Sequence, residues 1–187
     1  MTTLRQYLQQ GTARAHQQLD SRPELKRLLR PGLGMGAYLE SLQALGHAFG
    51  QAEELLAEQP PVPELPPYQP RAAAINRDLQ VLDGQIPGAG ARTGLLPPTR
   101  TTGTGLGIRY VLDGSSQGSG FIYPKLCRHL PELGAPECSH YWQVQQTAGR
   151  YWPELCALLN QPHPDNLCEQ ALEGALWTFT VFERAFR

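Results

Sequence analysis

Apolar residues recur every three or four positions along most of this chain. In residues 3–19 they fall on one side of a helical wheel, and Ser21-Arg22-Pro23 ends the segment. A longer apolar stripe of the same spacing covers residues 36–58. This period predicts an amphipathic helix over each of the two segments.

Gly and Pro separate the periodic segments. Residues 60–70 read PPVPELPPYQP, which predicts a stiff extended connector. Residues 84–99 hold three Pro and four Gly and predict a long loop. We expect Asp165 to be the N-cap of the last helix. The same apolar period predicts further helices over approximately residues 23–29, 71–82, 105–116, 120–130, 139–160 and 165–187.

The fold class follows from this pattern. No alternation of apolar and polar residues over five or more positions supports a strand, so we predict an all-α fold. A length of 187 residues with 41% apolar content fits one domain spanning residues 1–187.

Composition and charge exclude several classes of function. The chain has 16 basic and 17 acidic residues, a formal net charge of -1, which disfavours a nucleic-acid partner. It has no run of 18 apolar residues and its beginning, MTTLRQYLQQG, lacks signal-peptide features, so we expect a cytoplasmic protein with no membrane partner. The four cysteines form no C-x-x-C pair and the histidines form no H-x-x-x-H pair, which disfavours a zinc site.

His16 stands out on the flank of the first predicted helix. Gln9, Thr12 and Asp20 share its side of the helical wheel, beside the apolar stripe. A ligating imidazole needs one nitrogen free and the other hydrogen-bonded, and Asp20 is within (i, i+4) reach for that bond. The small neighbours Thr12 and Ala13 would admit a flat molecule. An exposed histidine beside an exposed acid explains the same pattern.

Glycines interrupt an apolar helical segment at residues 105–122, and each costs about 1 kcal/mol relative to Ala in a helix interior. Gly114 and Gly118 lie four residues apart on one face and leave a trough beside Ser115 and Gln117. The trough indicates that something approaches the backbone. A bulky planar ligand, a crossing helix and a kink between two helices each explain it.

Together, these two features resemble the heme oxygenase family, in particular its compact bacterial, biliverdin-forming members. Residues 12–20, TARAHQQLD, are similar to the family's proximal pattern T-x-x-x-H-x-x-L-[ED]. Residues 110–118, YVLDGSSQG, are similar to its distal-helix pattern Y-V-[LI]-E-G-S-x-L-G-G. Residues 36–39, GAYL, and 78–82, DLQVL, match its G-x-Y-L and D-L-x-x-L helices. The resemblance therefore extends over nearly the whole chain.

The chain departs from the distal pattern at three positions. Asp113 replaces a Glu, Gln117 replaces a Leu, and Ser119 replaces the second Gly of a Gly-Gly pair. Gln117 either points away from the heme or adds a polar group near bound dioxygen that other members lack.

The resemblance implies a single-domain helical fold with heme between the proximal N-terminal helix and a kinked, glycine-containing distal helix. It implies oxidative cleavage of heme to biliverdin, carbon monoxide and ferrous iron. Heme is then both substrate and cofactor, dioxygen is the co-substrate, and a soluble reductase or ferredoxin supplies electrons. The purpose is either iron recovery or supply of a bilin to a photoreceptor. A protein that binds heme or a bilin without cleaving it is the alternative on this fold.

The resemblance also assigns roles to particular residues. His16 becomes the iron ligand, and Gly114 and Gly118 approach the heme from the distal side. The other candidates for the distal side, expected to hold an ordered water, are Asp113, Ser115 and Gln117.

Several assignments have alternatives. Asp113 belongs either to a proton-delivering network or to an ion pair with Arg109 at (i, i+4). Lys125 and Arg128 either bind the heme propionates or form a solvated basic pair. Gln9 is a further candidate for the propionates, and Tyr110 is either a core residue or a heme contact. The remaining candidates, acting directly or through His16, are Thr12 and Asp20.

Overall fold

A computed structural model describes residues 2–83 and 94–186 of the chain, and those residues form helices and connections without a β-strand. The all-α prediction is therefore confirmed. The helices are α1 (Leu4–Asp20), α2 (Pro23–Lys26), α3 (Met35–Ala57), α4 (Ala72–Val81), α5 (Thr102–Gly114), α6 (Ser119–His129), α7 (His140–Gly149), α8 (Trp152–Leu159) and α9 (Asp165–Ala185).

Local sequence explains where α1 and α9 begin. Thr3 and Gln6 form a capping box on α1: Gln6 N donates to Thr3 Oγ1 at 3.3 Å, and Thr3 N donates to Gln6 Oε1 at 3.1 Å. The predicted N-cap of α9 is wrong. Pro164 occupies the cap position, and Asp165 lies in the first turn, where its charge favours the positive end of the helix dipole.

The glycine-bearing segment is not one continuous α-helix. A 3₁₀ turn at Ser115–Gly118 separates α5 from α6. The single helix predicted over residues 139–160 is wrong, because the structure divides it into α7 and α8. Pro153 lies in the first turn of α8 and has no N–H with which to continue the hydrogen bonds of α7.

Helices α5 and α9 cross at very short range. A Cβ added to Gly107 would lie 1.9 Å from the carbonyl oxygen of Ala171, and one added to Gly174 would lie 2.5 Å from that of Thr104. Only glycine permits this approach of two backbones. The crossing-helix explanation therefore applies to the first part of the glycine-bearing segment.

Two groups of buried apolar side chains form the core. The larger group surrounds α3 and includes Phe49 and Trp142, whereas the smaller group joins α1, α5, α8 and α9 and includes Leu8 and Phe179. Side chains from both groups line one cavity, which therefore lies where the two parts of the core meet.

The connectors agree with the sequence where they are described. Residues 60–70 form no helix, and Tyr68 within them donates a hydrogen bond to Glu53 Oε1 at 2.9 Å. Residues 84–93, the larger part of the predicted loop, lie outside the described residues, and residues 94–99 are non-helical. Across the described chain, each helix is too short or too polar to cross a membrane.

Candidate functional site

A cavity of about 480 Å³ lies between α1, the bend that joins α5 to α6, α7 and α9. Its volume falls within the usual range for a small-molecule site. Aromatic rings supply much of its wall, which suits a large flat ligand; they belong to Phe49, Tyr110, Tyr141, Trp142, Trp152, Phe179 and Phe182.

His16 lies at one side of this cavity. Its Nδ1 atom is 2.9 Å from Oδ2 of Asp20, and the edge of its ring faces Phe179, with ring centroids 5.8 Å apart. A neutral imidazole that donates from Nδ1 to a carboxylate keeps the lone pair of Nε2 available to a metal. The side chain is 64% exposed, and its contact with Asp20 is made by Nδ1 and not by Nε2.

Gly114 and Gly118 lie on the cavity wall formed by the α5–α6 bend. A Cβ on Gly114 would only reach ordinary contact with the Trp152 ring at 3.4 Å, and one on Gly118 would only contact Ile122 at 3.4 Å. Neither glycine is required by a crossing helix, in contrast to Gly107. Both positions therefore leave bare backbone on the cavity wall, Gly114 beside the Trp152 ring of α8 and Gly118 beside Ile122 of α6.

The predicted polar residues of the bend have partners within the protein. Ser115 and Gln117 both line the cavity. Ser115 Oγ donates to the carbonyl of Leu112 at 2.7 Å, and Gln117 Nε2 donates to Ser116 Oγ at 3.2 Å. The Gln117 side chain is therefore hydrogen-bonded to a residue of the same 3₁₀ turn.

Asp113 is buried and does not line the cavity. Its Oδ2 accepts from Arg109 Nε at 2.6 Å, which is the ion pair expected at (i, i+4). Its Oδ1 accepts from Nη2 of Arg71, at 3.1 Å. The two guanidinium groups occupy both carboxylate oxygens, so this residue can influence the cavity only through its neighbours.

Arg71 connects this ion pair to the cavity wall, and its side chain is fully buried. Its Nε donates to Oε1 of Gln145 at 3.4 Å. The amide of Gln145 in turn donates to Ser115 Oγ at 3.2 Å and to Tyr141 Oη at 2.9 Å. Gln145, Ser115 and Tyr141 all line the cavity.

Of the three other residues predicted to contact heme, one lines the cavity and two do not. Tyr110 lines the cavity against Trp152, with ring centroids 5.9 Å apart. Thr12 is buried and its hydroxyl donates to Leu8 O at 2.7 Å, so it does not reach the cavity. Gln9 is exposed on α1 and is not part of the wall.

Lys125 and Arg128, the predicted propionate contacts, do not line the cavity wall. Lys125 Nζ lies 3.6 Å from the centre of the Phe121 ring, a cation–π contact. Arg128 is exposed at the end of α6. The residues that α6 contributes to the cavity wall are Ser119 and Ile122.

Several wall residues escaped the sequence analysis. Phe179, Trp142 and Gln145 come from helices far along the chain and carry no local motif. Arg71 follows the proline-rich connector, where the sequence predicts an exposed arginine at the beginning of a helix. The only available signal was the aromatic spacing in α7 and α9, which equally predicts an ordinary core.

The residues present fit heme. The wall offers one imidazole with an available Nε2, aromatic side chains, and bare backbone at Gly118 where a Cβ would meet little protein. Within residues 2–83 and 94–186, no cluster of three or more His, Cys, Asp or Glu side chains offers a separate metal site. A metal would thus be held by His16 together with a group that the ligand itself supplies.

Comparisons with known proteins identify the family and the fold of this chain. The family model described as heme oxygenase matches residues 2–187. The fold is similar to that of the NO- and CO-bound heme oxygenase from Neisseria meningitidis, with a TM-score of 0.75 and 18% identity over 100% of this chain and 92% of the other. It is also similar to heme oxygenase from Leptospira interrogans, with a TM-score of 0.67 and 18% identity over 100% and 98% of the two chains. No curated protein sequence matches this chain.

Proposed function

Because the chain belongs to the heme oxygenase family, we propose that it cleaves heme oxidatively to biliverdin, carbon monoxide and ferrous iron. Dioxygen is the co-substrate, and a soluble reductase or ferredoxin supplies the electrons. The observation that carries the proposal is the cavity that has the His16 imidazole and the bare backbone at Gly118 on its wall. Bound heme supplies the iron and the oxidisable ring, and is therefore both cofactor and substrate.

His16 is proposed to ligate the iron through Nε2. Asp20 accepts a hydrogen bond from Nδ1, which fixes the tautomer and the ring orientation and raises the basicity of Nε2. A neutral imidazole donates less electron density than the thiolate that favours O–O cleavage in other heme enzymes. This choice of ligand suits a reaction in which the macrocycle itself is oxidised.

The α5–α6 bend is proposed to control the opposite side of the heme. With heme bound, Gly114 and Gly118 would let the backbone lie close to the ring and would limit the space left for a small ligand and for water. Ser115 and Gln117 add polar groups to this wall and are candidates for holding an ordered water. Asp113 acts as a positioning residue, because both of its oxygens bind arginines.

The proposed contacts to the propionates come from α6. Lys125 and Arg128 are candidates because α6 contributes Ile122 to the cavity wall, although Lys125 must leave the Phe121 ring to bind a carboxylate. The reaction serves either iron recovery or the supply of its product to a bilin-accepting photoreceptor.

The experiment is a hemin titration followed by addition of dioxygen and a reductase system. We expect a Soret band on hemin addition, then its decay as biliverdin absorbance grows, with chromatography identifying the isomer. A stable Soret band under the same conditions would instead support a heme or bilin carrier. Failure to form any hemin complex would reject both functions.

A further inference from the structure

Gln145 is a buried amide that uses its hydrogen-bonding groups on three different neighbours. It is 2% exposed, and it lies on the cavity wall. Its Oε1 is 3.4 Å from Arg71 Nε, while its Nε2 is 2.9 Å from Tyr141 Oη and 3.2 Å from Ser115 Oγ. The hydrogen-bonding character of these three neighbours therefore determines where the carbonyl oxygen and the NH₂ group of Gln145 point.

Arg71 fixes the amide in one orientation. A guanidinium has donors and no acceptor, so the atom of Gln145 that faces it must be the carbonyl oxygen. Reversing the amide would bring two donors together beside a buried charge. Asp113 prevents Arg71 from turning away, because it binds the same guanidinium at 3.1 Å. The NH₂ group of Gln145 must then point to Tyr141 and Ser115.

This orientation determines what the two hydroxyl groups can do. Both oxygens accept a hydrogen bond from Gln145, so their own protons are free to be donated elsewhere. The proton of Ser115 goes to Leu112 O at 2.7 Å. Among residues 2–83 and 94–186, Tyr141 Oη accepts from Gln145 and donates no hydrogen bond of its own. Burial raises the pKa of Tyr141 to about 12, which keeps this hydroxyl protonated near neutral pH.

We propose that Tyr141 is a hydrogen-bond donor to the small ligand that heme iron binds opposite His16, directly or through one water. The inference rests on the proposed function, because it requires heme in this cavity. Gln145 and Arg71 are positioning residues: they hold the tyrosine oxygen as an acceptor and thereby release its proton toward the cavity.

Fluoride affinity of the ferric hemin complex tests the inference without measuring turnover. Fluoride accepts hydrogen bonds strongly, and the loss of one hydrogen bond to a charged acceptor weakens binding about 10- to 100-fold. The variant is Tyr141→Phe, which removes only the oxygen. The matched control is Tyr123→Phe, because the Tyr123 hydroxyl donates to Leu133 O at 2.8 Å and is not on the cavity wall.

We expect the fluoride dissociation constant to rise at least tenfold in Tyr141→Phe and to stay within threefold of the parent in Tyr123→Phe. Equal fluoride affinity in Tyr141→Phe and the parent would overturn the inference and leave the proposed function intact. A parent chain that binds no hemin would overturn both.

A crystal structure of the fluoride complex of the unsubstituted chain gives an answer that needs no variant. Tyr141 Oη, or one water bonded to it, should lie within about 3 Å of fluoride. A hydroxyl that bonds neither fluoride nor such a water would overturn the inference, even if Tyr141→Phe failed to fold.

Discussion

His16 Nδ1 and Asp20 Oδ2 lie 2.9 Å apart, one helical turn from each other on α1. Both side chains are mostly exposed, at 64% and 65%, so their mutual attraction contributes little to folding. The contact is better explained by what it does to the imidazole, since it sets the tautomer with Nε2 available. Substitutions at His16 and at Asp20 should therefore have different effects on heme binding.

Replacing His16 by Ala should remove the imidazole-ligated ferric spectrum and weaken hemin binding. Asp20→Asn should keep the ligation but lower hemin affinity or turnover about 10- to 100-fold, because the partner of Nδ1 loses its charge. Hemin titration and turnover measure the two effects. His163→Ala is the control, since the ring of His163 contacts Leu158 O far from this cavity wall. An unchanged ferric spectrum in His16→Ala would reject His16 as the ligand.

Gly118→Leu should block the cavity without weakening the fold. A Cβ at Gly118 meets only Ile122 at 3.4 Å, so the protein itself has room for a side chain there. Gly120→Leu is the matched control, because nothing lies within 4 Å of a Cβ at this position and Gly120 is not on the wall. We expect hemin affinity to fall at least tenfold in Gly118→Leu alone, with similar melting temperatures for both variants. Equal hemin affinity would contradict the assignment of Gly118 to the site.

Gly107→Ala should destabilise the fold by about 3 kcal/mol or more, because its Cβ would lie 1.9 Å from Ala171 O and two helices would have to separate. Gly50→Ala in α3 meets nothing within 4 Å and should instead stabilise by up to about 1 kcal/mol. Denaturant unfolding of the hemin-free chains measures both changes. Similar stability of the two variants would show that the α5–α9 crossing adjusts at little cost.

Asp113→Asn should cost about 3–5 kcal/mol of unfolding free energy, since it leaves the fully buried Arg71 side chain without its carboxylate. Glu58→Gln provides the comparison. It breaks an exposed ion pair with Arg100 and should cost less than about 1 kcal/mol. A small loss for Asp113→Asn, together with a large loss of turnover, would instead favour a direct role for Asp113 in proton delivery.

The stability of the fold should depend on pH through Glu53. Burial raises the pKa of this carboxyl above its ordinary 4.5, despite hydrogen bonds from Arg71 N, Tyr68 and Ala72 N. The folded state therefore holds its proton at a pH where the unfolded state has released it, and the stability that this provides falls as pH rises. It is fully present below pH 4.5 and lost as pH passes the raised value.

Glu53→Gln isolates this contribution from other titrating groups. The unfolding free energy of the parent minus that of the variant should decrease as pH rises from 4.5 toward neutrality. Urea unfolding at a series of pH values measures the difference, with the exposed Glu54→Gln as control. A difference that stays constant over this range would contradict the burial effect.

The sequence by itself determined most of the helices, because amphipathic spacing is local, although it missed the division between α7 and α8. Residues 3–19 and 36–58 closely match α1 and α3. His16 and Asp20 were also recognisable, because residues four apart on one helix must be neighbours. The same locality made Asp113 and Arg109 a foreseeable pair.

Only the tertiary structure decided which glycines permit a close helix crossing and which line the cavity. Gly107 and Gly118 occur in the same segment and read alike, yet one meets the backbone of α9 and the other faces the cavity. The hydrogen bonds that link Arg71, Gln145 and Tyr141 could not be predicted either, because these residues come from α7 and from the position before α4. Such contacts depend on how distant helices cross, and the period of a single helix carries no information about the neighbour that its face will meet.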